Sequence, residues 1–146
     1  MQQSDYDRQE KYLLECFVQS NYEFYHIKWG GNSPTKSFSS WNWAAFFFGS
    51  EWMLYRKMYG EAVALVILRM MLSFFSPGLY WLSSLIIGLC VAIYGNYWYY
   101  RKASSAVHKA RNDEPANAEQ LLRKSGGTNI SIVIIIELTS LIFQLV

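Results

Sequence analysis

Residues 79–100, "LYWLSSLIIGLCVAIYGNYWYY", decide the fold class, because the run carries not one charged side chain. As a helix it reaches about 33 Å, enough to cross a hydrocarbon core of roughly 30 Å. Ahead of it, residues 58–75, "MYGEAVALVILRMMLSFF", form an aliphatic run interrupted by Glu61 near the start and Arg69 in the middle. That run gives a helix of roughly 27 Å. The uncharged turn "SPG" at 76–78 joins the two, and together they predict a transmembrane hairpin over 58–100. Residues 130–146, "ISIVIIIELTSLIFQLV", carry Glu137 as their only charge. Alone this β-branched run would suit a strand. Beside two spanning helices it is expected to be a third span of about 25 Å, since a backbone in lipid must satisfy its own hydrogen bonds.

The charges fall in blocks around these runs. Arg56 and Lys57 precede the hairpin, Arg101 and Lys102 follow it, and the turn has none, which places both basic ends at the cytoplasmic face and the turn outward. Each pair adjoins aromatic rings suited to an interface, with Trp52 and Tyr55 on one side and Trp98 and Tyr100 on the other. "YRK" occurs at both places; two belt positions solved alike account for it. Ser84, Gly88, Ala92 and Asn96 recur every fourth residue and form a face of small residues for close helix packing. Its partner is either the first hairpin helix or a second copy of the chain.

Residues 38–59, "FSSWNWAAFFFGSEWMLYRKMY", raise a separate question. A crossing would require residues 56–61 as its turn and leave only about 21 Å for the return helix. The expectation is therefore an aromatic interfacial helix over 41–55, anchored by Trp41, Trp43, Trp52, Tyr55, Arg56 and Lys57, with Glu51 in water; a crossing is the alternative. The remainder divides into an amphipathic cytosolic arm over 1–29, a linker over 30–40, and a basic cytosolic loop over 101–128. In the arm, Tyr6, Leu13, Leu14, Phe17, Phe24 and Tyr25 recur near helical spacing. In the loop, Asn112 or Asp113 is expected to cap a short helix that ends at "SGGTN". The fold class is thus all-α: a helical integral membrane protein with a hairpin, a third span and a preceding interfacial helix.

The composition narrows the chemistry. A net charge of +2 over 146 residues gives no electrostatic footprint for nucleic acid. The two cysteines, Cys16 and Cys90, lie in segments of different polarity and suggest no disulfide framework. Residues 1–29 lack a basic segment followed by an apolar one, so no ordinary cleavable signal peptide is expected there. His26 and His108 lack metal-ligand spacing, and no phosphate loop, nucleophile elbow or CxxC occurs. Neither catalytic residue, metal nor cofactor is expected. Within the spans, Arg69 and Glu137 lie at comparable depth, and an ion pair between them would relieve the cost of both charges.

The motifs "SWNWAAFFFG" at 40–49, Trp52, "LYRKMY" at 54–59, "YGNYWYYRK" from Tyr94 and "GGT" at 126–128 resemble a bacterial membrane-protein family known as domain of unknown function 2628. The resemblance covers roughly residue 38 to the C-terminus and departs at Ser50 and Glu51. It implies a small inner-membrane protein and supplies no activity. The functional expectation is a non-enzymatic accessory, assembly or protective subunit working with the lipid bilayer and a protein partner or homo-oligomer. A transporter or channel component using Arg69 and Glu137 is the alternative.

Overall fold

The computed structural model describes residues 2–31 and 40–145, with side chains over 6–31 and 40–142. The described residues are helical, without a strand: α1 Gln2–Val18, α2 Tyr22–Lys28, α3 Trp43–Tyr55, α4 Tyr59–Phe75, α5 Tyr80–Asp113, α6 Ala118–Ser125 and α7 Ile130–Leu145. They form two compact units: one from Met1–Ser40 with Asn96–Gly127, the other from Trp41–Gly95 with Thr128–Val146. Most of the expected linker, residues 32–39, lies outside the described residues.

The first unit has an aromatic core. Leu13, Leu14, Phe17 and Val18 make one face of α1, while Tyr99, Ala103, Val107 and Ala110 make a helical stripe on α5; all are buried. The Tyr99 ring, 0% exposed, lies 6.2 Å from Phe17, 4.9 Å from Tyr25 and 5.8 Å from Trp29, centroid to centroid. Trp29 Nε1 donates to the Asn96 carbonyl at 2.8 Å, so the indole enters the core with its polar atom satisfied. Left-handed backbone at Gln19 and Asn21 (φ 57° and 67°) reverses the chain between α1 and α2. Of the six expected arm positions, Leu13, Leu14, Phe17 and Tyr25 are core residues. Tyr6 and Phe24 are exposed, and each meets a cation instead, Arg111 at 4.3 Å and Lys28 at 5.6 Å from the ring centroid.

The second unit packs α3 against α4 and α7. Asn42 caps α3 by accepting the Ala45 amide at 3.0 Å. At Gly49 the helix is kinked by a non-helical backbone, φ 38° and ψ −100°. Lys57, at φ 57°, then lets the chain reverse over residues 56–58. The turn is thus shorter than the one that argued against a crossing, and α4 keeps its whole length of about 26 Å. At the far end Ser76 and a 3₁₀ turn, Pro77–Leu79, lead into α5. Asn129 links the start of α7 to the α3–α4 corner: its amide donates to the Tyr55 carbonyl at 2.8 Å and its side chain to the Tyr59 hydroxyl at 3.0 Å. Its own Oδ1 accepts the Ile132 amide at 3.3 Å, which caps α7.

Several boundaries move. The hairpin's second helix continues to Asp113, so Asn112 and Asp113 end α5 and cap nothing; Pro115 opens a 3₁₀ turn, Pro115–Asn117, before α6. Ala103, Val107 and Ala110 carry α5 onward because they bury a face against their own unit. Two helical stretches are long and apolar enough to cross a membrane, Pro77–Asp113 and Pro115–Ile142. The second is broken at Gly126 and Gly127, which leaves α7 as its apolar part.

Candidate functional site

A groove of about 620 Å³ in the second unit is lined by Ser50, Val66, Arg69, Met70, Ser73, Phe74 and Tyr80. Helical spacing sets Val66, Arg69 and Ser73 on one face of α4, three and four residues apart. The kink at Gly49 shapes the wall contributed by α3. A β-carbon at Gly49 would stand 3.5 Å from Arg69 Nη2 and 3.7 Å from Leu65 Cδ2, so the guanidinium lies across a residue with no side chain. Arg69 Nε is buried without a hydrogen-bond partner. Ser50 Oγ donates to its neighbour Glu51 at 3.0 Å.

The expected ion pair between Arg69 and Glu137 is not formed. Arg69 turns onto α3 at Gly49, and Glu137 is exposed on α7. The small-residue face packs within the chain, but on a different partner from the expected hairpin helix. Gly88 lies under Phe46, where a β-carbon would come 3.5 Å from the Phe46 carbonyl, and the Ala92 carbonyl accepts the Asn42 amide at 2.9 Å. Asn96 donates to Ser40 Oγ at 2.8 Å. Ser84 is half-buried.

The interface anchors divide by environment. Trp43 is 63% exposed, whereas Trp52 is 5% exposed and packs on Gly95, whose β-carbon position lies 3.2 Å from the indole. Arg56 is buried with its guanidinium 5.4 Å from the centre of the Tyr55 ring, so it is no freely snorkelling charge. Trp41, Lys57, Trp98, Tyr100 and Lys102 are half-buried, and Arg101 is exposed. Tyr100 lies 5.3 Å from Trp29. The aromatic residues after Gly95 thus include a core group that hydropathy could not separate from a belt.

On the first unit, Glu119 joins α1 to α6. Tyr12 donates to its Oε2 at 2.7 Å and Arg123 to its Oε1 at 2.9 Å. The Tyr12 hydrogen bond, followed by that of Arg123, holds the Glu119 carboxyl below its usual range, and the same bond pushes the Tyr12 phenol up to about 12. The arrangement is a latch on the surface, with the Glu119–Arg123 pair about half exposed. Among the described residues no cluster of His, Cys, Asp or Glu could hold a metal.

The family model described as "Protein of unknown function (DUF2628)" matches residues 17–104. The chain belongs to this family. For a DUF2628 protein the matched segment begins earlier than the sequence motifs suggested, at Phe17 of α1, and ends before the "GGT" motif and α7. It therefore takes in the Trp29–Tyr99 aromatic core as well as the α3–α4 corner and the Arg69 groove. Comparison with curated proteins and with solved structures finds no match.

Proposed function

We propose that this DUF2628 protein is an integral protein of a bacterial inner membrane. Its second unit lies in the bilayer, and it acts through protein partners as a non-enzymatic accessory, assembly or protective subunit. The observation that carries this reading is a contrast between the two units. The first buries Phe17, Tyr22, Tyr25, Trp29 and Tyr99 in one aromatic core, as a domain in water does. The second turns large apolar side chains outward along α4, the first part of α5 and α7; Phe74 is 81%, Trp81 69% and Ile142 62% exposed. Apolar faces of this extent, continuous along three helices, suit lipid as their solvent. The first unit, with exposed charges and aromatic residues paired to cations, supplies a water-facing surface for a partner. The transport alternative has no support from a joined polar path, since Arg69 and Glu137 are apart.

Single cysteines test the arrangement. Native Cys16 is buried and unsuited to labelling, whereas Cys90 is exposed and is replaced by Ala. Gly78→Cys, in open space at the hairpin turn, is expected to react with a membrane-impermeant thiol reagent in intact cells. Gln120→Cys, exposed on α6, is expected to react only after lysis. Reaction of both in intact cells, or release of the protein by alkaline carbonate, overturns the reading.

A further inference from the structure

We propose that the Arg69 groove binds the phosphate of an anionic phospholipid, with an acyl chain along Val66, Met70 and Phe74. The inference rests on the bilayer placement of the second unit and goes beyond it by assigning a ligand to a site. Three observations carry it. The first is charge: among the described residues no carboxylate pairs with Arg69, its Nε is buried without an acceptor, and Glu137, the one acid expected to neutralise it, is exposed on another helix. An unpaired Arg in hydrocarbon costs about 2.5–3.5 kcal/mol on insertion scales. A phosphate in the groove offsets that cost and matches the planar fork of a guanidinium.

The second observation is the lining. Arg69, Ser50, Ser73 and Tyr80, all with polar side-chain atoms, share the groove with Val66, Met70 and Phe74. A free phosphate would set its remaining oxygens against those apolar groups without hydrogen bonds, which is unfavourable. A phosphodiester joined to an acyl chain satisfies both halves. The volume of about 620 Å³ falls within the usual range for ligand sites.

The third is depth. Arg69 precedes the end of α4 by about 9 Å of helical rise, and Tyr80 begins α5 just beyond the turn. The groove lining runs from Val66 through Arg69 and Ser73 to Tyr80 beside the turn, so a headgroup from the leaflet on the turn side can enter it past Tyr80.

The test uses the full chain purified in mild detergent, with lipid retention read by native mass spectrometry after addition of phosphatidylglycerol or phosphatidylcholine. Wild type is expected to retain phosphatidylglycerol in preference to phosphatidylcholine, and Arg69→Gln is expected to lower that retention about tenfold. Val66→Trp, which fills the groove and leaves the charge, should lower it as well, and carries the test if Arg69→Gln fails to accumulate. Equal retention of the two lipids, undiminished retention in both variants, or displacement of the lipid by inorganic phosphate overturns the proposal. Carbonate extraction run on the same membranes separates the two readings: a chain that stays in the membrane yet retains no phosphatidylglycerol overturns only this one.

Discussion

The Phe17 carbonyl accepts the Gly127 amide at 2.7 Å, while a β-carbon on the preceding residue, Gly126, would overlap that same carbonyl. The end of α1 and the end of α6 thus meet backbone to backbone, and only glycine permits the approach.

Gly126→Ala must push the two backbones apart, and is expected to destabilise the first unit by about 1–3 kcal/mol, as overpacking does. Gly60→Ala is the control: it lies in the first turn of α4 with nothing within 4 Å, and should be neutral or slightly stabilising. Thermal unfolding of both variants in detergent measures the difference; equal melting temperatures would contradict the close approach.

Tyr22 is buried with its hydroxyl unpartnered, and burial pushes its pKa up to about 12. Tyr22→Phe leaves no donor unsatisfied, so it should be neutral or stabilising by about 1 kcal/mol. The phenol is raised in the folded state, so its contribution is present below its ordinary pKa of 10.0 and is lost as pH rises toward 12. The Phe variant should gain on wild type in that alkaline window. A variant less stable at every pH would show that the hydroxyl finds a partner.

Glu119 has the opposite sign. Its lowered pKa makes its contribution present above the ordinary value of 4.5 and lost as pH falls through the lowered one. Glu119→Gln should therefore differ from wild type near neutrality, and the two melting temperatures should converge in acid. The effect is small because the Glu119–Arg123 pair is about half exposed. A difference that stays constant from neutrality to well below pH 4.5 would remove the carboxylate from the latch.

Two tryptophans of one helix should behave unlike each other. Trp52→Ala empties a buried site against Gly95 and is expected to cost about 3–5 kcal/mol. Trp43→Ala removes an exposed ring and should leave the unfolding free energy within about 0.5 kcal/mol, weakening only the association with lipid. Denaturant titration alongside liposome flotation reads the two effects separately.

Hydropathy and turn chemistry determined the helical class of this chain by themselves. Residues 79–100 have no charge, "SPG" breaks the chain, and residues 130–146 carry Glu137 as their only charge, so the start of the second hairpin helix, its turn and α7 fall close to where they were expected. These are local properties, decided by each side chain's own preference for water and each residue's own backbone freedom. Tertiary structure decided which apolar residues are core and which face outward. Tyr99 and Trp52 read like Trp43, yet two are buried and one is not, because burial depends on what another segment brings to that face. The same holds for the charges. Depth in a sequence run put Arg69 and Glu137 at one level, but depth says nothing of rotation about a helix axis, and the kink at Gly49 drew Arg69 toward α3. The glycine in "FFFGSEW" was visible in the sequence; its left-handed backbone, and the guanidinium lying across it, arose only when α3 folded back on α4.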